Sequence, residues 1–123
     1  MPGVQEHLVQ AGHNETFFGR IDVGSFSDWA VTVLFYSALH YIDAYLATQG
    51  YYDPGGHDVR EDLIRRDSNV RPLYPSYARL KNFSRSARYY GSRYSDSQVT
   101  GLYRGSFEPI KRHLLTRLNP PPR

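Results

Sequence analysis

The sequence contains no cysteine at all. This absence excludes a disulfide framework, a thiolate metal site and a cysteine nucleophile, and it fits a reducing compartment. No apolar run approaches the roughly 20 residues that a membrane span needs, and the N-terminal MPGVQEHLVQ lacks the basic start and apolar centre of a signal peptide. We therefore expect a soluble, cytoplasmic protein with no membrane contact.

Recognisable catalytic and cofactor motifs are also missing. The segment GRIDVGS lacks the glycine spacing of a phosphate-binding loop, and no nucleophile turn presents a serine. A metal centre built from His7, His40 or His113 can be drawn across a helical bundle, but no His-x-x-x-His or Glu-x-x-His pair supports it. The sequence therefore predicts neither a metal nor another cofactor.

Positive charge is scarce in the first half of the chain and dominates the second. Residues 1–69 contain four arginines against ten acids, a net charge of −6, whereas residues 70–123 contain eleven lysines or arginines against two acids, a net charge of +9. This asymmetry favours contact of the basic half with phosphates, or with the acidic half of another copy of the chain.

Apolar residues recur at three- and four-residue spacing almost throughout, with no sustained alternation. This pattern predicts an all-α, up-and-down bundle of four main helices plus a short additional helix, because short connections make successive helices antiparallel neighbours. We expect one domain over residues 1–118. The proline-rich residues 119–123 are expected to form a disordered tail.

Start and stop signals divide this pattern into segments. The predicted helices cover residues 4–20, 27–48, 56–67, 74–90 and 95–118. Ser25 or Ser27 is the expected cap of the second helix. The last helix should be irregular near Gly101, Gly105 or Pro109, since glycine and proline disfavour a helix interior.

Four polar side chains with acid, base or phosphate-binding capacity lie close together in the chain: His40, Asp43, His57 and Arg60. His57 and Arg60 lie one helical turn apart beyond a glycine turn, so they are on the same face of the predicted helix. The imidazole can transfer protons, and the guanidinium can bind phosphate through two hydrogen bonds. Alternatively, His57 anchors the turn and Arg60 pairs with a carboxylate such as Asp43. His40 and Asp43 either support the site or are hydrogen-bonded core residues. The four residues are the candidate catalytic cluster.

A basic, tyrosine-rich stretch follows in YARLKNFSRSARYYGSRY, where cations lie beside rings on which unpaired bases can stack. Lys81, Arg85 and Arg88 fall at i, i+4 and i+7, along one side of a helix. The candidate nucleic-acid contacts are Arg79, Lys81, Arg85, Arg88, Tyr89 and Arg93. The other interpretation is a solvated helix face whose tyrosines complete the core or a dimer contact.

The segments LFYSALHYIDAYLA, HDVR and SRSARYY resemble the HEPN domains of prokaryotes, within a likeness that covers residues 7–90. The resemblance implies a small helical bundle, commonly a homodimer, associated with RNA-directed defence and toxin–antitoxin systems. Many such domains are metal-independent ribonucleases that carry an arginine followed a few residues later by a histidine in a late helix. Here the late histidine is His113, directly after Arg112, so no catalytic pair is carried over from the family.

Two functions are therefore expected as alternatives. The first is a HEPN-like homodimer that binds RNA or a nucleotide, with metal-independent cleavage left open and a cognate protein as a further partner. The second is a non-catalytic interaction or dimerisation module. The salt dependence of RNA affinity distinguishes these two functions, because RNA binding through phosphates weakens steeply as the salt concentration rises.

Overall fold

The structure is a computed structural model that describes residues 3–52 and 54–118. These residues form an all-α bundle with no β-strand among them, which confirms the predicted fold class. The helices are α1 (Val4–Phe18), α2 (Val23–Thr48), α3 (His57–Arg66), α4 (Tyr74–Tyr90), α5 (Asp96–Leu102) and α6 (Glu108–Leu118). Residues 119–123, the expected tail, lie outside the described range.

Helix α2 is the centre of the bundle. It pairs with α1 in antiparallel fashion, since His7 lies by His40 and the carbonyl of Ala11 accepts a hydrogen bond from Ser37. The largest fully buried side chains come from α2, α3, α4 and the C-terminal helices, and include Leu34, Phe35, Ile42, Leu46, Ile64, Tyr77, Leu80, Phe107 and Ile110. Burial of this apolar surface is the main force that holds the helices together.

Helix α2 has 26 residues, a length and apolar composition sufficient to cross a membrane. The bundle itself buries 83% of its most apolar 18-residue window. These side chains therefore already have apolar partners within the chain.

The start of α2 differs from the expected one by a few residues. Asp22 is the N-cap, and its carboxylate accepts hydrogen bonds from the backbone N–H of Gly24 at 3.2 Å and the hydroxyl of Ser25 at 2.9 Å. Phe26 then leaves helical geometry at φ −133° and ψ 43°. The hydroxyl of Ser27 is buried and accepts from the backbone N–H of Tyr94 at 2.9 Å. Ser27 therefore fixes a tertiary contact and does not cap the helix.

The irregularity expected in the last helix is a five-residue π-helical segment, Tyr103–Phe107, between α5 and α6. Its wider turn is closed by the backbone N–H of Glu108, which donates to the carbonyl of Tyr103. Pro109 follows at once, and a proline has no N–H and clashes with the carbonyl four residues before it. The π segment accommodates this proline without ending the helical path.

Helix α4 ends at Gly91, which adopts the left-handed conformation with φ 65°. An added Cβ there would meet no atom within 4 Å, so the cost of Gly91→Ala is purely conformational. We expect this change to lower the free energy of unfolding by about 1–2 kcal/mol. Gly101→Ala, inside α5 and equally open, should instead raise it by about 0.5–1 kcal/mol. Urea denaturation measures the change in the free energy of unfolding for each variant. Equal changes in Gly91→Ala and Gly101→Ala would contradict a left-handed conformation at Gly91.

Candidate functional site

Arg60 and Asp43 form a buried ion pair between α3 and α2. Arg60 donates from Nε to Asp43 Oδ1 at 2.7 Å and from Nη2 to Oδ2 at 3.0 Å, and both side chains are about nine-tenths or more buried. Burial acts to lower the pKa of Arg60, but the hydrogen bonds and charge of Asp43 raise it. Asp43 therefore accepts two hydrogen bonds from the guanidinium of Arg60. This is the arrangement expected if Arg60 pairs with a carboxylate and does not bind a ligand.

His57 begins α3 and lies at the surface end of this polar group. Its Nδ1 is 3.5 Å from the hydroxyl of Tyr77, and its ring lies 5.9 Å from that of the buried Phe35. Burial and the charges of Arg60 and Lys81 lower the pKa of His57. The imidazole is thus neutral at neutral pH and able to accept a proton.

His40 contacts α1 through His7. Its Nδ1 lies 3.1 Å from Nδ1 of His7, and the two histidines lie close to Asp43. Burial and the neighbouring His7 lower the pKa of His40. The structure therefore brings Asp43 and Arg60 into direct contact and places His40 beside Asp43. His57 instead contacts the hydroxyl of Tyr77, which in turn interacts with Arg60.

An open groove lies where the start of α3 faces α4. Its volume is about 740 Å³. The lining residues are Gly55, Gly56, His57, Asp58, Val59, Lys81, Arg85, Arg88, Tyr89 and Tyr90. The positive end of the α3 dipole opens into the groove, and Gly56 at the N-cap has no side chain that could cap it. Four of the six predicted nucleic-acid contacts thus share one cavity with His57.

The three cations of the groove differ in their partners. Lys81 donates to Glu61 at 2.5 Å, so its charge is largely neutralised. Arg88 donates to the hydroxyl of Tyr36 at 3.1 Å and lies 5.2 Å from the centre of the Tyr89 ring. Neither Arg85 nor Arg88 forms an ion pair with any residue that the structure describes. Two guanidinium groups therefore line the groove without an ion-pair partner among the described residues, although Asp58 also lines it.

Arg79 and Arg93 lie outside this groove. Arg79 is two residues before Lys81, about 200° around the helix, and its guanidinium lies 5.5 Å from the ring of Phe83. Arg93 follows the turn at Gly91 and pairs with Asp28 at 3.4 Å. These two arginines belong to other faces of the bundle.

A second exposed surface joins the end of α1 to the start of α2. Phe17, Phe26 and Trp29 are each about half exposed, at 51%, 53% and 58%. Together with Arg20, Ile21 and Asp22 they line an apolar hollow of about 620 Å³. Contiguous apolar surface of this kind is typical of contact with another protein.

No family model, curated protein or solved structure matches this chain. The functional argument is therefore based on the chemistry of the groove. Phosphate recognition needs cations and N–H donors at one place, and this groove supplies both. Ribonuclease chemistry needs in addition an acid and a base. Within the described residues His57 is the one imidazole that lines the groove, and Arg60 is turned inwards to Asp43.

Proposed function

We propose that the groove binds the phosphate and base of a nucleotide, either free or within an RNA strand. The observation that carries this proposal is the pair Arg85 and Arg88, which face an open cavity at a helix N-terminus without a carboxylate partner. Arginine binds phosphate oxygens through paired, charge-assisted hydrogen bonds. A phosphate in this position would gain both guanidinium groups and the positive end of α3.

The size and walls of the groove support a ligand larger than phosphate alone. A volume of about 740 Å³ lies within the roughly 300–1,000 Å³ of small-molecule sites. Tyr89 and Tyr90 are 68% and 76% exposed, so their rings are open to a partner. Stacking of an unpaired base on such a ring is worth about 1–3 kcal/mol and is tolerant of sequence. The proposal therefore favours single-stranded over double-stranded RNA.

The proposal includes, from the resemblance to HEPN domains, a cytoplasmic homodimer acting in a defence or toxin–antitoxin system. Cleavage within this proposal would use His57 to accept the proton of the ribose 2′-hydroxyl while its oxygen attacks the phosphorus. The bond from phosphorus to the 5′-oxygen then breaks, leaving a 2′,3′-cyclic phosphate, and the protonated His57 returns the proton to the leaving 5′-oxygen. Arg60 would then act by holding α3 against α2, since both oxygens of Asp43 occupy its fork. Binding is accordingly the primary activity that we propose, and cleavage is its extension.

The test is fluorescence anisotropy of labelled single-stranded RNA with the purified protein, in chelator and over a range of salt. Hydrogen bonds to charged groups contribute about 1.5–3 kcal/mol, so Arg85→Ala and Arg88→Ala should each weaken binding about tenfold or more. Each should also reduce the slope of log affinity against log salt by about 0.7, the value for one phosphate contact on a single strand. Competition by a nucleoside triphosphate distinguishes a free nucleotide from a strand.

Arg79→Ala and Arg93→Ala are the matched controls, because they remove the same charge from the same basic region outside the groove. Both should bind RNA within about twofold of the unaltered protein, an effect of long-range charge alone. Equal losses in all four variants would mean general attraction to a basic surface and would contradict the groove. Gel analysis of the same samples, beside His57→Ala, reports cleavage separately from binding.

The second candidate function is the interaction module. The half-exposed Phe17, Phe26 and Trp29 favour it, since three large apolar side chains rarely share an open surface without a partner. A second copy of the chain is the occupant that this alternative predicts. Absence of RNA retention at low salt would exclude the groove proposal and leave this candidate.

A further inference from the structure

Two imidazole rings face each other where α1 meets α2, outside the phosphate-binding groove. Nδ1 of His7 lies 3.1 Å from Nδ1 of His40, with ring centres 5.3 Å apart. A neutral imidazole carries one N–H, so such a pair can share only a single hydrogen bond between two nitrogens that both bind cations well. The fold has thus brought together two nitrogen ligands from residues 33 positions apart in the chain.

Asp43 completes a set of three potential ligands. His7, His40 and Asp43 each offer one ligand atom, and these atoms all lie within 4.8 Å of one another. Nitrogen ligands lie about 2.0–2.1 Å from zinc, which in tetrahedral geometry puts two of them about 3.3 Å apart. The observed nitrogen separation of 3.1 Å is therefore close to that of two histidines on one metal ion.

The two histidines of the cluster differ in their burial. His7 is only 6% exposed, and its Nε2 has no hydrogen-bond partner among the described residues. Nε2 lies across the ring from Nδ1, so a cation bound at Nδ1 would leave it as a buried N–H, and the cluster is defined by the Nδ1 separation and by Asp43. His40 is only partly buried, so a cation and a water ligand can reach the cluster from solvent.

We infer that His7, His40 and Asp43 form a binding site for a divalent transition-metal cation, with Zn²⁺ the best match to two imidazoles and one carboxylate. Three protein ligands leave a fourth tetrahedral position for water. Arg60 uses one direction on each oxygen of Asp43, and a carboxylate has about four acceptor directions. Arg60 would therefore orient the carboxylate of Asp43 through its hydrogen bonds, as residues that hold metal ligands do in other sites. Its positive charge would lower the affinity of the site for a cation.

This site would link α1 to α2 directly and is independent of the proposed RNA function. The histidines belong to different helices, so the cation would cross-link the N-terminal hairpin. A ligand that binds only the folded chain stabilises it by RT ln(1 + L/Kd), where L is the free ligand concentration, so the stabilisation grows with that concentration. Zn²⁺ should therefore raise the melting temperature of the unaltered protein whether or not RNA binds.

The experiment is titration of the tag-free, metal-depleted full chain with Zn²⁺ by calorimetry and with Co²⁺ by visible absorption. We expect one ion per chain and the intense visible bands of low-coordinate Co²⁺. Outer partners of metal ligands are worth about 10- to 100-fold in affinity, so loss of a direct ligand in His7→Gln or His40→Gln should weaken binding about 100-fold or more. His13→Gln changes an exposed histidine on the same helix as His7 and should bind as the unaltered protein does.

The titration of the unaltered chain does not depend on any variant being folded. Folded protein that binds neither ion at one equivalent would overturn the site. Binding that survives in both His7→Gln and His40→Gln, or that is lost in His13→Gln, would place the ion elsewhere on the chain. Either result would also overturn the site. Circular dichroism of each variant separates loss of a ligand from loss of the fold.

Discussion

Arg60→Met is expected to lower the free energy of unfolding by about 3–5 kcal/mol. The change leaves the carboxylate of Asp43, a side chain only 5% exposed, without its counter-charge between α2 and α3. An uncompensated buried charge costs far more than the net contribution of the ion pair itself. Urea denaturation followed by circular dichroism measures the loss.

Arg66→Met supplies the matched control on the same helix. Arg66 pairs with Asp62 at 3.1 Å, but the two side chains are 77% and 51% exposed, and exposed pairs contribute about 0–1 kcal/mol. The double variant Asp43→Leu with Arg60→Met should recover most of the stability lost in Arg60→Met, because it removes both charges together. Equal stability losses in Arg60→Met and Arg66→Met would show that Asp43 is solvated.

The buried pair changes how a functional result at Arg60 should be understood. A variant that unfolds α3 from α2 also displaces His57 and the helix N-terminus that open into the groove. Loss of RNA binding in such a variant would follow from the fold. Arg85 and Arg88 form no ion pair with any residue in the described ranges. Substitutions at these two positions therefore report on ligand contact directly.

The helices could be predicted from the sequence because local signals and tertiary packing agree over most of the chain. Gly91 ends α4 where the sequence places the stop, since only glycine adopts φ 65° without strain. The start of α2 was misplaced because three polar residues compete for it. The carboxylate of Asp22 accepts a hydrogen bond from the backbone N–H of Gly24 at the helix start. The hydroxyl of Ser27 instead accepts one from the backbone N–H of Tyr94, 67 positions away. No local pattern reveals a partner at that distance.

The candidate site was predictable only as far as helical spacing extends. The i, i+4, i+7 spacing predicts one face for Lys81, Arg85 and Arg88, and all three line the groove. Arg79 and Arg93, which nearness in sequence groups with them, do not line it. Which of these cations is neutralised depends on Glu61, carried by a different helix.

His7 and His40 can be drawn together as metal ligands from the sequence, but no spacing motif supports that pairing. Two of the proposed ligands, His40 and Asp43, lie at i, i+3 on α2, but the third comes from α1, where no spacing connects it to them. A weaker signal was present, since His7 lies four residues before the buried Ala11 and therefore faces the core. A polar ring on the apolar side of a helix requires a partner, and the sequence alone does not identify it.

Phe35→Ala is expected to destabilise the protein by about 3–5 kcal/mol and to weaken RNA binding. Phe35 is fully buried, and its ring lies 5.6 Å from that of Tyr77 and 5.9 Å from that of His57. Truncation removes the apolar surface and leaves a cavity beneath the start of α3. Because this cavity underlies His57, the change should loosen the wall of the groove as well as the core.

Phe17→Ala is the matched control, since its ring is 51% exposed and should contribute less than about 1 kcal/mol to stability. Phe35→Leu refills most of the volume and should recover more than half of the stability lost in Phe35→Ala. RNA affinity measured below the melting temperature of each variant separates the two effects. If Phe35→Ala stays folded and binds RNA as tightly as the unaltered protein, the groove must be organised by α4 alone. In that case the arginines would carry recognition without support from His57 and the N-terminus of α3.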